Sequence, residues 1–189
     1  MRKNRGQIRI IGGQWRSRKL TFPEAERLRP SPDAVRETLF NWLQNDVRSS
    51  KCLDLFAGSG ALGFEAASRG AARVVMVEND PAAVRYLNQN RELLNAEKIV
   101  AVVRGSARHF IDQCDERFDL LFLDPPFDSG DLEKSCQQIP HSRILSPGAL
   151  VYIENPRSST PLPIHPTWHI IRQKTRGLVQ STLIETEHE

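Results

Sequence analysis

A chain of 189 residues with 39% hydrophobic and 26% charged residues has the size and composition of one globular domain. It holds no run of about 18 uncharged apolar residues, and its charged start, Met1–Gln7, leads into no apolar run of signal-peptide length. We therefore expect a cytoplasmic protein without a membrane partner. Three scattered cysteines and five dispersed histidines form neither a disulfide framework nor a metal-ligand spacing, so we predict no metal.

Positive charge is concentrated at the amino end of the chain. The first 29 residues hold nine Lys or Arg and two Glu, a net charge of +7, whereas the whole chain carries +3. A basic arm on a mildly acidic body favours a polyanionic partner, although a solvated tail has the same composition. The candidate contacts to a nucleic acid are Arg2, Lys3, Arg5, Arg16, Arg18, Lys19, Arg29 and Arg36.

The first 46 residues predict a hairpin followed by a helix. Two short extended runs, 7–11 and 18–22, flank a glycine-containing loop, which is typical of a β-hairpin. Ser31 then has the features of a helix N-cap, with proline at the first helical position and an acid in the first turn. An apolar stripe at i,i+4 spacing begins at Val35 and predicts that this helix continues to about Asp46 and docks on the body.

From Lys51 onward, short apolar runs alternate with helical segments. The predicted strands are 52–56, 73–77, 99–103, 118–123 and 149–153, and the predicted helices are 61–69, 81–94, 107–114 and 131–138. Two final extended runs, 168–173 and 178–184, predict an antiparallel hairpin at the sheet edge. This order predicts one Rossmann-like α/β domain, whose mostly parallel sheet has helices on both faces. We divide the chain into a basic extension, 1–50, and a core, 51–189.

A glycine-rich turn follows the first strand of this core. Three glycines fit G-x-G-x-x-G, a turn that lets the backbone approach a ligand: Gly58, Gly60 and Gly63. Glu78 ends the next strand, where an acid accepts hydrogen bonds from ribose hydroxyls. Asp54 indicates the kind of cofactor, because a carboxylate there repels a dinucleotide pyrophosphate but attracts the ammonium group of S-adenosylmethionine.

The turn after the third core strand has two interpretations. Ser106 accepts a hydrogen bond from the adenine amino group while the Ala107 N–H meets a ring nitrogen, or Ser106 is a plain helix N-cap. The candidate cofactor-binding residues are Asp54, Phe56, Ala57, Gly58, Ser59, Gly60, Gly63, Glu78, Asn79, Ser106 and Ala107.

The candidate catalytic motif is Asp124-Pro125-Pro126-Phe127, which follows the fourth core strand and opens on the same sheet edge. The prolines remove two N–H donors, so the turn presents the Asp124 carboxylate and the Pro125 carbonyl as acceptors beside the ring of Phe127. Two acceptors that hold an amine favour a pyramidal nitrogen, and they bind it more strongly as it gains positive charge. The base must be unpaired or flipped out to enter. The motif therefore predicts methylation of an exocyclic base amine.

These motifs resemble those of the class I S-adenosylmethionine methyltransferases, in which Asp- or Asn-Pro-Pro-aromatic marks transfer to an amino nitrogen. The amino end narrows the likeness to the RsmD-type 16S ribosomal RNA guanine-N2 methyltransferases. The segments that carry it are 9–13, 28–30, 33–41, 54–63, 77–78 and 123–127. The likeness covers essentially the whole chain, although members of that family often have Asp where Ser106 stands.

The resemblance implies a fold, a cofactor and a partner. The fold is a seven-stranded, mostly parallel sheet with a reversed last strand, and the methyl donor is S-adenosylmethionine. The basic arm then engages 16S ribosomal RNA in the small ribosomal subunit, and we expect the enzyme to act as a monomer. The choice of guanine over adenine or cytosine comes from the resemblance, not from the residues.

Three alternatives remain open from the residues. A DNA adenine or cytosine amino-methyltransferase uses the same chemistry, although this chain is short for a separate DNA-recognition domain. An NAD-dependent oxidoreductase fits the glycine turn but is opposed by Asp54. A non-enzymatic ribosome assembly factor would use the basic arm alone, and the intact motif around Asp124 argues against it.

Overall fold

The computed structural model describes residues 5–23, 30–158 and 161–187. The strands are β1 (Arg5–Arg9), β2 (Lys19–Pro23), β3 (Lys51–Asp54), β4 (Arg73–Glu78), β5 (Val100–Arg104), β6 (Phe118–Leu123), β7 (Leu145–Pro156), β8 (His169–Arg176) and β9 (Val179–Glu185). The helices are α1 (Asp33–Trp42), α2 (Ala61–Ser68), α3 (Pro81–Leu93), α4 (Ala107–Gln113) and α5 (Asp131–Gln138).

Seven strands form one sheet in the order β5-β4-β3-β6-β7-β9-β8. Neighbours from β5 to β7 pair in parallel, whereas β9 runs antiparallel to both β7 and β8. The predicted α/β class, the mostly parallel seven-stranded sheet and the reversed last strand are thus confirmed. The strand order changes direction between β3 and β6, and ligands of such folds bind outside the carboxyl ends of the strands at that point.

Both faces of the central strands are buried, as their continuous apolar runs predict. Along β3, Cys52 packs into one hydrophobic core and Leu53 into the other, because successive side chains of a strand point to opposite faces. Helices cover each core, so a polar side chain at the end of a central strand is surrounded by apolar groups on two sides. This environment decides the electrostatics of the strand ends.

The amino-terminal hairpin is confirmed, and it is packed against the body. β1 and β2 pair antiparallel from Arg5↔Pro23 to Arg9↔Lys19. Beyond the pair, Ile10 is 2% exposed and belongs to the same hydrophobic core as the β3–β4 side chains. The extension, 1–50, therefore contributes part of the core that covers one face of the sheet.

The limits of α1 differ from the prediction. The helix begins at Asp33 with Pro32 as its N-cap and no side-chain cap, because the Ser31 hydroxyl is engaged by two distant carboxyl groups. It ends at Trp42 rather than near Asp46. The Leu43 carbonyl accepts hydrogen bonds from the Asp46 and Val47 amides, each at 3.0 Å. These bonds close a tight turn instead of another helical turn.

Strand β7 is longer than the predicted 149–153, because it pairs with β6 on one side and with β9 on the other as far as Pro156↔Val179.

Within the described ranges, no helix is long and apolar enough to cross a membrane. Nor do the described His, Cys, Asp and Glu side chains form a cluster of three or more that could hold a metal ion.

Candidate active site

The two predicted motifs meet at the carboxyl edge of the sheet. Asp54, the last residue of β3, pairs in register with Phe122 of the adjacent parallel strand β6. Asp124 follows β6 directly, so the glycine turn after β3 and the Asp-Pro-Pro-Phe turn after β6 are neighbours at the point where the strand order reverses. The fold thus brings together two segments that lie about 60 residues apart in the chain, at the edge where such folds bind ligands.

The glycine turn needs glycine for two different reasons. Gly60 has a φ of +79°, a left-handed conformation that side chains disfavour, and a Cβ there would lie 2.6 Å from the Phe64 ring. A Cβ at Gly63 would lie 2.6 Å from the Met76 methyl group, so glycine lets α2 pack closely on β4. Glycine therefore permits both the tight turn and the close packing of helix on sheet.

Asp54 is buried beneath this turn, with 2% of its surface exposed. Its Oδ2 accepts a hydrogen bond from the Gly63 amide at 3.1 Å, so it caps the amino end of α2. Burial and, to a smaller extent, the charge of Glu78 raise the pKa of Asp54 to about 7, against the hydrogen bonds from the Gly63 and Phe56 amides, which lower it. A cation beside Asp54 would relieve this cost by favouring the ionised form.

Glu78, at the end of β4, is tied to both neighbouring turns. Its Oε2 accepts from the Gly58 amide at 2.8 Å and its Oε1 from the Asp80 amide at 2.7 Å. The carboxylate thus joins the glycine turn to the loop before α3. Each oxygen keeps a second lone pair, so acceptance from ribose hydroxyls stays a prediction compatible with these contacts.

Ser106 is the N-cap of α4. Its Oγ accepts a hydrogen bond from the His109 amide at 3.2 Å, and Ala107 is the first helical residue. The cap interpretation of the sequence thus describes this structure, and adenine recognition by Ser106 stays a prediction. Of the other candidates, Phe56 is half-buried, Ala57 and Ser59 are buried within the glycine turn, and Asn79 is exposed.

The Asp-Pro-Pro-Phe turn presents its members differently. Asp124 is half-buried and Pro125 is buried, whereas Pro126 is exposed and the Phe127 ring is 48% exposed. The Pro126 carbonyl accepts from the Ser129 hydroxyl at 2.8 Å, which closes the turn. A free aromatic face beside a recessed carboxyl group suits a planar ligand, as the motif predicts.

A cavity of about 330 Å³ opens beside this turn. The wall includes Pro125, Phe127 and, from the end of β7, Glu154. Its volume lies at the lower end of the range for small-molecule sites, about 300–1,000 Å³. A second cavity, of about 410 Å³, lies between the hairpin and the start of α1, and its lining includes Lys19 and Ser31.

Three residues that the sequence did not single out as site residues complete the site, namely Ser31, Tyr152 and Glu154. The Ser31 Oγ lies 3.1 Å from Asp124 Oδ2 and 2.8 Å from Glu154 Oε1. The Tyr152 hydroxyl lies 2.9 Å from the same Glu154 oxygen and 3.0 Å from the Ser181 Oγ. Glu154 had a signal in the sequence, since it is an acid near the end of a buried strand, as Asp54 and Glu78 are. Ser31 had none, because a serine before proline fits a helix start equally well.

The two carboxyl groups of this network oppose each other's ionisation. Burial, and then the charges of Glu154 and Asp54, raise the pKa of Asp124 well above its ordinary value, against the Ser31 hydrogen bond. Burial also raises the pKa of Glu154, while its hydrogen bonds from Ser31 and Tyr152 lower it. The two carboxyl groups are therefore coupled, and the pair titrates as a unit.

The predicted RNA contacts separate into four groups. Arg2, Lys3 and Arg29 lie outside the described residues, and the described part of Arg5 is its backbone in β1. Arg16, Arg18 and Lys19 have exposed side chains. Arg16 and Arg18 lie in the hairpin loop. This loop packs on the end of α2, where the Gln14 amide donates a hydrogen bond to the Ser68 carbonyl at 2.8 Å.

The prediction that Arg36 contacts RNA is wrong. Its side chain is 1% exposed and lies between α1, α2 and the hairpin. It pairs with Asp33 at 2.6 Å and with Glu65 at 3.4 Å, and it donates to the Arg9 carbonyl at 3.0 Å. A buried guanidinium that is already bound to two carboxylates is a structural cation, not one that is free for phosphate.

The comparisons with known proteins agree with this geometry. Residues 8–185 match the family model described as "Conserved hypothetical protein 95". The chain is 42% identical over 182 residues to the Ribosomal RNA small subunit methyltransferase D of Escherichia coli, covering 96% of this chain and 91% of that protein. The namesake from Haemophilus influenzae is 40% identical over 184 residues, covering 96% and 95% of the two chains.

A solved structure described as "Putative methyltransferase yhhF from Escherichia coli" superposes with a TM-score of 0.91 at 41% identity, covering 97% of this chain and 100% of that one. The chain belongs to the family of the Ribosomal RNA small subunit methyltransferase D proteins. This methyltransferase therefore has the class I fold with its motifs in the expected places, and its class implies S-adenosylmethionine as the methyl donor.

Proposed function

We propose that this methyltransferase transfers a methyl group from S-adenosylmethionine to the exocyclic N2 amine of a guanine in the 16S ribosomal RNA of the small subunit. The observation that carries the proposal is the meeting of the glycine turn, buried Asp54 and the turn of Asp124 at the strand-order reversal. Relatives at 42% and 40% identity are named for small-subunit ribosomal RNA, which supports the substrate. Guanine and its N2 atom follow from the resemblance of segments 9–13 and 33–41.

The residues around the glycine turn fit the methyl donor. Asp54 is a buried carboxyl group with a raised pKa, so an ammonium group is the partner that it lacks. Glu78 lies beside the Gly58 amide, where it can also accept from ribose hydroxyls. Ser106 and Ala107 form the amino end of α4 at the turn after β5, where the Ala107 N–H would meet the adenine ring. When bound, S-adenosylmethionine supplies a methyl group activated by a positively charged sulfur.

The residues of the Asp-Pro-Pro-Phe turn bind and orient the amine that is methylated. The Asp124 carboxyl group and the Pro125 carbonyl accept its two hydrogens, which orients the nitrogen lone pair, and the exposed ring of Phe127 stacks on the base. As the N–C bond forms and the S–C bond breaks, positive charge develops on the nitrogen and strengthens these hydrogen bonds. The excess proton then passes from the nitrogen to the ionised carboxylate of Asp124.

The exposed cations support a nucleic-acid substrate. Arg16, Arg18 and Lys19 protrude from the hairpin, and Lys19 lines the cavity that also reaches Ser31 beside the catalytic turn. Phosphate groups that flank the target nucleotide can be neutralised along this surface. An enzyme that acts as a monomer on small ribosomal subunits works in the bacterial cytoplasm, where these subunits assemble.

The test is methyl transfer from labelled S-adenosylmethionine to small ribosomal subunits, naked 16S ribosomal RNA and duplex DNA in parallel. We expect N2-methylguanosine from subunits or from naked RNA, identified by mass spectrometry of the digested product. Label in DNA, or no label from a protein that binds the cofactor, would contradict the proposal.

The variant Asp124→Ala tests the mechanism. Alanine removes the side-chain oxygens that hold the amine, so we expect the methyl-transfer rate to fall by at least about 100-fold while cofactor affinity stays within a few-fold. The matched control is Asp128→Ala, which removes an exposed carboxylate four residues further along the same loop and should leave the rate unchanged. Full activity of the Asp124 variant would exclude Asp124 as the proton acceptor.

A further inference from the structure

Glu154 is a carboxyl group that the proposed mechanism does not use, and two hydroxyl groups hold it in place. It lies near the carboxyl end of β7, between β6 and β9, and is 4% exposed. Its Oε1 lies within hydrogen-bond distance of the Ser31 and Tyr152 hydroxyls, at 2.8 and 2.9 Å. Two neutral donors that converge on one oxygen fix the orientation of the whole carboxyl group.

The second oxygen of Glu154 is the one left for a ligand. Glu154 lines the cavity of about 330 Å³ together with Pro125 and Phe127 of the catalytic turn. Among the described residues, none donates a hydrogen bond to its Oε2. A carboxylate oxygen to which no described residue donates can accept a strong, charge-assisted hydrogen bond from a substrate N–H that enters the cavity.

The Ser31 hydroxyl lies between the carboxyl groups of Asp124 and Glu154 and gives them different roles. A serine has one hydroxyl hydrogen, so it donates to Asp124 or to Glu154 but not to both at once. The shorter distance, 2.8 against 3.1 Å, is the one to Glu154. Donation to Glu154 supports its ionised form and leaves Asp124 for the amine that is methylated.

The hydrogen-bonding edge of guanine matches two adjacent acceptors. Its N1–H and its N2 amine are neighbouring donors, whereas the atom next to the amine in adenine (N1) or in cytosine (N3) is an acceptor. A carboxylate beside the amine holder therefore attracts guanine and repels the other two bases. A site built to hydrogen-bond one group rejects analogues that lack it, because its buried polar atoms are left unpaired.

We propose that Glu154 accepts the N1–H of the target guanine and thereby selects guanine over adenine and cytosine. Glu154 is then a specificity-determining residue that contacts the substrate, and Ser31 and Tyr152 are its positioning residues. The inference rests on the proposed function, since it assumes that the base amine enters the cavity beside Asp124. Glu154 is the residue that distinguishes guanine from the other bases.

The test uses 2-aminopurine, which keeps the N2 amine but has an acceptor at N1. The guanine that wild type methylates is mapped first and then replaced by 2-aminopurine in ligated 16S ribosomal RNA. Rates on the two RNAs give a guanine to 2-aminopurine ratio for each variant. For Glu154→Gln we expect this ratio to fall at least tenfold, roughly the loss of one charge-assisted hydrogen bond, because glutamine can instead donate to N1.

Controls separate the outcomes. Glu97→Gln changes an exposed carboxylate that does not line this cavity and should leave the ratio at its wild-type value. A wild-type enzyme that labels no guanine would refute the proposed function itself. Labelled guanine with the same ratio in wild type and in folded, cofactor-binding Glu154→Gln would overturn the role of Glu154 alone.

The positioning residues keep the inference testable if Glu154→Gln does not fold. Ser31→Ala and Tyr152→Phe each remove one hydroxyl from Glu154 Oε1 and should lower the ratio by about three- to fivefold. An unchanged ratio in both variants would overturn the inference. A rate that falls equally on both RNAs in both variants would overturn it too, since that pattern indicates a purely structural role.

Discussion

At the scale of single residues, the free site gathers four acidic side chains without a basic partner among the described residues. Asp54, Asp124 and Glu154 are close enough that the charge of one raises the pKa of another, and Glu78 faces Asp54 from the next strand. No Lys or Arg of the described ranges forms an ion pair with any of these four carboxyl groups. The site is therefore prepared for ligands that bring positive charge or N–H donors.

This imbalance predicts proton release when the cofactor binds. Because the pKa of Asp54 is raised from 3.8 to about 7, the free protein holds a proton there at pH 6, and an ammonium group lowers that pKa and expels the proton. Cofactor affinity should therefore rise between pH 5 and pH 8. Calorimetry with S-adenosylhomocysteine at pH 6, in buffers of different ionisation enthalpy, should show release of close to one proton.

The matched variant is Asp54→Asn, which keeps the shape of the side chain and removes the titration. It should bind the cofactor more weakly and release no proton at pH 6. Equal proton release by wild type and variant would assign the titration to another group and contradict this role of Asp54.

At the scale of elements, Glu65 joins α2 to the amino-terminal extension. It is completely buried, and its two oxygens accept hydrogen bonds from the Ile11 and Gly12 amides, each at 2.8 Å. The same carboxylate pairs with Arg69 at 2.8 Å and with Arg36 at 3.4 Å. One side chain thus satisfies two backbone donors and two cations that come from three elements.

Removal of this carboxylate should be costly. Glu65→Ala leaves the buried Arg36 guanidinium and two amides under-satisfied, so we expect the free energy of unfolding to fall by about 3–5 kcal/mol. Urea denaturation followed by circular dichroism measures the change. The control Glu37→Ala, on the exposed face of α1, should change stability by no more than about 0.5 kcal/mol. A similar, small effect of both variants would mean that the extension is only loosely attached.

At the scale of the whole molecule, the exposed cations of the hairpin lie beside the carboxyl edge of the sheet, where the site is, and not on that edge itself. Lys19 lines the cavity next to Ser31, whereas the Arg18 guanidinium donates to the Leu93 carbonyl at the end of α3, at 3.1 Å. The distribution fits an extended polyanion that crosses the hairpin and delivers one base to the catalytic turn.

Charge removal tests this arrangement. The triple variant Arg16→Gln, Arg18→Gln and Lys19→Gln should weaken binding to 16S ribosomal RNA and flatten the salt dependence by roughly 0.7–0.9 in slope for each phosphate that is no longer neutralised. Filter binding between 50 and 200 mM salt measures both. The control removes three exposed cations elsewhere, Lys51, Arg85 and Lys98. The same slope in both triple variants would show that the hairpin cations are only solvated.

The sequence alone determined the order of strands and helices, the class of fold and the two turns of the site. Periodicity, glycine in left-handed turns and proline after a strand are local features, which the chain carries within each element. The carboxyl ends of parallel strands share one edge, so the placement of Asp54 and Asp124 at the same edge also followed from the pattern, whereas the adjacency of β3 and β6 came from the structure.

Only the tertiary structure decided which distant side chains meet. Ser31 contacts Asp124 and Glu154 across 93 and 123 residues of sequence, and no local pattern specifies such a contact. Arg36 has the sequence environment of a surface cation, yet the packing of α1, α2 and the hairpin buries it against Glu65. Such partnerships depend on how elements pack, because burial and the arrangement of opposite charges are properties of the assembled fold and not of a segment.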